Sequence, residues 1–183
     1  MDPAVLPDPP CTFLEHAMVL TILKWLALTF AALTLLAVLA GQLGFLRGAA
    51  PDNLGVRDGR MKPPSKTPNS VSSQAGLWSD HPQQTTATIA PLALRGDGAD
   101  TLARIHTLMQ TWPGAEVVTR SDDYLHVQVT TRVMKYTDDV EFWLDPAAGV
   151  VQVRSASRIG EGDLGANRKR VEAIRTQLAQ SSG

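Results

Sequence analysis

The pattern of apolar and polar positions divides the chain into three regimes. From Ala17 to Leu46 it is almost wholly apolar, with Lys24 as the only charge. From Gly48 to Thr88 it turns to Pro, Ser, Thr, Gly, Asn and Gln, and no helical or strand period persists. Beyond Thr88 periodic segments return. Leu102, Ile105, Leu108, Met109 and Trp112 recur at helical spacing, and Pro113-Gly114 ends the run. Leu125, Val127, Val129, Thr131 and Val133 then alternate with Tyr124, His126, Gln128, Thr130 and Arg132. Val140, Phe142 and Leu144 alternate with Glu141, Trp143 and Asp145. Alternation at period two marks strands with one buried face.

These patterns predict a first strand over Thr85–Leu94, a helix ending at Trp112, strands at Ala115–Arg120, Tyr124–Val133, Val140–Asp145 and Val150–Ser157, and a last helix from about Asp163 to Gln180. Leu164, Val171, Ile174 and Leu178 form the stripe of that helix, with Asn167 on the same face. A buried amide needs partners, so Asn167 is expected to tie the helix to a turn or strand. Short turns between alternating strands favour an antiparallel meander. The expected fold class is α+β: a curved antiparallel β-sheet with two helices packed on one face, preceded by one N-terminal transmembrane helix.

Residues 18–46 form that transmembrane or signal-anchor helix, since an all-round apolar segment suits lipid better than a small core. Residues 1–17 hold Asp2, Asp8 and Glu15 but no Lys or Arg. They read as an N-terminal extension ahead of a start at Met18. Residues 47–84 are a linker, with Leu54–Arg60 as a short hairpin or docking segment, and residues 85–180 are the α+β domain. Lys24 ahead of the apolar core favours export of the C-terminal domain to a periplasmic side. Arg47, Arg57, Arg60 and Lys62 behind it favour the opposite orientation. Val38-Leu39-Ala40 offers a cleavage site, and hence a secreted form.

The net charge of −1 and an aromatic content of 5% argue against a nucleic-acid platform. His16, His81, His106 and His126 show no ligand spacing and Cys11 is the sole cysteine, so no metal site and no cofactor is expected. The segment Gly160–Gly165 fits G-x-G-x-x-G, but no second parallel strand follows as a dinucleotide fold requires. Asp163 is better placed as a helix cap. Arg154 and Arg158 share one strand face, and Asp138, Asp139 and Glu141 begin the neighbouring strand. Cross-strand ion pairs are the simple expectation; a cleft where the arginines hold an anion is the sharper one. Ser70 and Ser72 lie in a serine-rich turn, near His81 in sequence.

The motifs PNSVSSQA, DDVEFWLD and VRSASRIGEGDLGANRKRV together resemble the bacterial and plastid family catalogued as domain of unknown function 1499. The likeness runs from about Asp52 to Leu178. Its members usually carry cysteine where Ser70 stands here, so the resemblance implies no thiol chemistry for this chain. It implies a secreted, lipid-linked or membrane-anchored domain and supplies no reaction. The expected function is a membrane-anchored envelope protein whose domain binds a protein partner or a small anionic ligand without catalysis. Binding residues would be Ser70, Ser72, Arg154, Arg158, Asp163, Asn167 and Arg168. The alternatives are a hydrolase acting on an anionic or lipid-like substrate and an accessory subunit of a membrane complex.

Overall fold

The computed structural model describes residues 11–180, with side chains from Glu15 onward. The N-terminal extension up to Pro10 therefore lies outside the described residues. The chain forms two compact units, Met1–Ala40 and Gly41–Gly183. Helix α1 (Cys11–Gln42) makes up the described part of the first and ends two residues into the second. From Glu15 to Gln42 it is long and apolar enough to cross a membrane. At ~1.5 Å per residue it exceeds the ~30 Å hydrocarbon core. Its Leu20, Leu26, Phe30 and Leu36 are exposed, unlike those of a core helix.

The second unit is α+β with an antiparallel sheet. In chain order it contains β1 (Val56–Arg57), β2 (Arg60–Met61), β3 (Ser70–Ser72), α2 (Gln84–Ala87), β4 (Leu92–Ala93) and α3 (Gly98–Thr111). Then come β5 (Ala115–Arg120), β6 (Tyr124–Thr130), β7 (Thr137–Asp145), β8 (Val150–Ser157) and α4 (Ala166–Gln180). Strands β5 to β8 form the expected meander, and β3 and β4 both pair with the outer edge of β8. β1 and β2 form a separate hairpin. Its turn is Asp58-Gly59, both at positive φ (53° and 71°), the primed geometry that matches strand twist.

One face of the meander is apolar. Leu125, Val127, Val140, Phe142, Val151 and Val153 are fully buried against Leu102, Ile105 and Met109 of α3 and Val171, Ile174 and Leu178 of α4. Each such side chain contributes about 1.5–3 kcal/mol through burial. Asp97 caps α3 by accepting from the Asp100 N–H at 2.6 Å.

Three sequence expectations change. The stretch Gly48–Thr88, read as a tether, belongs to the compact unit and supplies an edge strand of the main sheet. Thr85–Leu94 is not one strand: it holds the single turn α2 and the two-residue β4. Helix α4 begins at Ala166, not Asp163, and Leu164 leaves the apolar stripe to stand 96% exposed at φ 51°.

Candidate functional site

The second face of the meander is polar and almost equally buried. Pairing sets Glu141 beside both His126 and Arg154, and Asp139 beside Ala156, one step from Arg158. Period-two alternation puts all these side chains on one face. Two ionic groups result. In the first, Arg154 Nη1 donates to Glu141 Oε2 at 3.1 Å, while Tyr124 Oη and the Gly55 N–H each donate to Glu141 Oε1 at 2.8 Å. Glu141 is 0% exposed. Burial, together with the Glu141 charge and hydrogen bond, pushes the Tyr124 phenol far above its usual range.

In the second group Arg158 grips Asp139 with two donors, Nε and Nη2, each at 2.9 Å. His126 Nε2 lies 2.8 Å from Asp139 Oδ1. Burial alone would raise the Asp139 carboxyl, but hydrogen bonds from Arg158 and His126, and their charge, hold it down at about 2.

What closes over this polar layer is the segment before β3. Gly55 meets Glu141, and the Pro63 carbonyl accepts from Arg154 Nε at 3.4 Å. Gln74 fixes the hairpin from the other side: its Oε1 accepts from the Met61 N–H at 2.8 Å, and its Nε2 donates to the Gly59 carbonyl at 2.9 Å. The flap of residues 53–63 is thereby tied to the sheet and to the PNSVSSQ segment.

A third cluster lies at the start of α4. Asn167 Oδ1 accepts from Ser155 Oγ at 2.5 Å and from Arg170 Nη1 at 2.6 Å. Its Nδ2 donates to the Asn69 carbonyl, Ser157 Oγ and Asp163 Oδ2. Asp163 caps the helix, accepting from the Gly165 and Asn167 N–H groups at 2.8 Å each. Burial opposes the Asp163 charge, but these hydrogen bonds prevail and lower its pKa. Arg170 Nη2 closes the cluster on Asp138 Oδ2 at 2.6 Å. Asn167 therefore joins helix, strand and the PNSVSSQ loop.

The sequence-derived site residues thus take up well-defined places. Arg154 and Arg158 pair with Glu141 and Asp139 in the layer under the flap. Asp138, Asp163 and Asn167 share the cluster at α4. Arg168 donates from Nη2 to the carbonyls of Thr86 and Thr88 at 2.8 Å each, clamping the turn after α2. Ser70 Oγ accepts from the Ser65 N–H and Ser72 Oγ from the Gln74 N–H, at 2.8 and 3.1 Å. His81 Nδ1 accepts from the Gln83 N–H, and His126 faces Asp139. Among the described residues, no group of three or more His, Cys, Asp and Glu forms a metal cluster.

The structure adds a cleft that was not singled out from the sequence. It lies on the flap, encloses about 510 Å³, and is lined by Asn53, Arg57, Arg60, Lys62, Pro63 and Trp78 among others. The Arg60 guanidinium stands 5.9 Å from the centre of the Trp78 ring. Lys62 Nζ donates to Asn53 Oδ1 at 2.6 Å. Among the described residues none of Arg57, Arg60 and Lys62 enters an ion pair, and Trp78 Nε1 is a buried donor without an acceptor. The basic residues following the apolar segment and the Leu54–Arg60 hairpin were the available signal; the Asp58-Gly59 turn brings Arg57, Arg60 and Lys62 to one cleft with Trp78.

No curated protein and no solved structure matches the chain. A family model does, over residues 60–178, and its span takes in the PNSVSSQ segment, the buried ionic layer and the α4 cluster. The chain belongs to the family described as proteins of unknown function, DUF1499.

Proposed function

We propose that this chain is a membrane-anchored, non-catalytic binding domain, and that the flap cleft takes a small anionic ligand. The carrying observation is the cleft's charge: three cations that enter no ion pair among the described residues, Arg57, Arg60 and Lys62, line it with one acid, Asp58. An aromatic wall at Trp78 adds a surface for a planar or apolar portion of the ligand. Arg154, through the Pro63 carbonyl and through Glu141, which accepts from the Gly55 N–H, holds the flap that carries the cleft.

The anchor is α1, and export of the domain to the periplasmic side is the orientation we favour, on the strength of Lys24 ahead of the apolar core. Thermal unfolding of the full chain in detergent, with phenyl phosphate and inorganic phosphate as probes, tests the cleft. Phenyl phosphate is expected to raise the midpoint more than phosphate does. An Arg57→Ala/Arg60→Ala variant is expected to lose that shift while keeping its unliganded midpoint, because both side chains are exposed. A shift that persists in the double variant, or no shift in the wild type, defeats the cleft assignment. Turnover of any substrate in an unbiased hydrolase screen defeats the non-catalytic assignment.

A further inference from the structure

The β1–β2 hairpin sets two arginines against each other. Arg57 and Arg60 are direct partners in its register, flanking the Asp58-Gly59 turn. Directly opposite residues of an antiparallel pair project to the same side with Cβ atoms ~5 Å apart, and like charges so placed destabilise the pair. Asp58, between them in the chain, forms no ion pair with either among the described residues. The other side of the hairpin is fixed by Met61, which is 1% exposed, so the two arginines are turned outward together. Both line the flap cleft with Lys62, which stands two positions beyond Arg60. The Trp78 ring, 5.9 Å from the Arg60 guanidinium, attracts that cation without neutralising it.

Charge balance decides what such a cleft prefers. Three cations and one acid line it, so a monoanion leaves one positive charge unmatched and a dianion leaves none. The number of acceptors points the same way. A carboxylate offers two oxygens, which a single guanidinium fork takes up. A phosphate monoester offers three terminal oxygens, enough to engage two forks at once. The backbone carrying the pair is held in advance, since Gln74 bonds the Met61 N–H and the Gly59 carbonyl.

We propose that the flap cleft selects dianionic phosphate monoesters over monoanions such as carboxylates, sulfates and phosphodiesters. The terminal phosphate sits between Arg57 and Arg60, and the group that carries it lies along Trp78 and Pro63. This deepens, and rests on, the anion-binding reading of the same cleft.

Isothermal titration of the full chain in an uncharged detergent compares phenyl phosphate with phenyl sulfate. The two share a shape and three terminal oxygens, but the sulfate carries only one negative charge. At pH ~8 phenyl phosphate, a dianion above its second pKa of about 6, is expected to bind about fivefold or more tighter, the order expected for one further charge at ~4 Å in water. At pH ~5 it is a monoanion, and the two ligands should bind alike. Phenyl sulfate keeps its charge throughout and so reports any change in the protein itself. Arg57→Gln, at an exposed side chain, is expected to reduce the ratio at pH ~8 to about twofold or less with the unliganded thermal midpoint unchanged. Equal binding of the two ligands at pH ~8, or a preference that persists at pH ~5, overturns this inference and leaves the anion cleft standing. Binding of neither ligand removes both. Glycerol 3-phosphate and dihexanoyl phosphatidate, which carry the same monoester on a soluble and a lipid group, divide the supporting result by source, the tighter of the two naming it.

Discussion

The frame under the flap can be separated from the cleft by breaking the Arg154–Glu141 pair. Arg154→Met keeps most of the side chain's length and removes the charge. It leaves Glu141 Oε2 without its 3.1 Å donor, inside a residue that is 0% exposed. Oε1 keeps Tyr124 and Gly55, so the carboxylate is half-satisfied. Removing one partner of a buried ion pair costs about 3–5 kcal/mol. With a urea dependence of about 2 kcal/mol per molar, the unfolding midpoint should fall by about 2 M. Adding Glu141→Gln removes the stranded charge and retains an acceptor for Tyr124 and Gly55. The double variant should then lie only about 1–2 kcal/mol below the wild type, the cost of an imperfectly paired amide. The assay is urea unfolding of the full chain in detergent, followed by tryptophan fluorescence. A loss below about 1 kcal/mol for Arg154→Met would refute the buried-pair account. So would a double variant no better than the single one, because the cost would then belong to packing rather than charge.

Two further outcomes follow from the same layer. Asp139, held at about 2 against an ordinary 3.8, contributes stability that is fully present above pH ~4 and lost as pH falls through ~2. The shift corresponds to about 2 kcal/mol, so the urea midpoint should fall over that window, and Asp139→Asn should flatten the fall at the expense of lower stability at pH 7. Tyr124 has the opposite sign: its raised pKa favours the neutral phenol in the fold, so it contributes stability below pH ~10 that is lost as pH rises further. In a Tyr136→Phe variant, where it is the sole tyrosine, phenolate absorbance should appear only together with unfolding. Phenolate formation near pH 10 in a folded protein would contradict the Tyr124–Glu141 contact.

What was legible in the sequence was whatever depended on period and parity. Alternation alone assigned Glu141 and His126 to one face and Phe142 and Val127 to the other, and the shared parity of Arg154 and Arg158 anticipated their carboxylate partners. Asn167 on an apolar stripe announced a buried amide with partners. The differences arise where a local cap or a long-range contact overrides periodicity. Leu164 stands at helical spacing from Asn167 and Val171, yet Asp163 takes the Gly165 and Asn167 N–H groups and so starts the helix after Leu164. Ser70-Val71-Ser72 alternates over only three residues, all buried in an edge strand, and the serine-rich composition around it reads as linker. Nothing local to Arg168 reveals its acceptors, the carbonyls of Thr86 and Thr88, which lie 82 and 80 residues earlier in the chain.

The buried ionic layer has a consequence for binding that neither the flap nor the sheet carries alone. A two-stranded hairpin is marginal by itself, yet β1–β2 is held at Gly55 by Glu141, at Pro63 by Arg154, and at Met61 and Gly59 by Gln74. These contacts fix the backbone on which Arg57, Arg60 and Lys62 stand. The three cations repel one another, and gathering them in one cleft with Trp78 is unfavourable, a cost that the proposed anionic ligand would offset. The layer beneath keeps that arrangement assembled without ligand, which under the proposed function would remove an ordering cost from the binding step. Substitutions in the layer should therefore weaken anion binding by loosening the hairpin even where the domain stays folded, whereas Arg57 and Arg60 substitutions should weaken it by removing charge with the hairpin held in place. Comparing Arg154→Met with Arg57→Ala/Arg60→Ala at a temperature where both remain folded separates the two. Equal affinity for phenyl phosphate in folded Arg154→Met and wild type would show that the hairpin holds its shape without the layer.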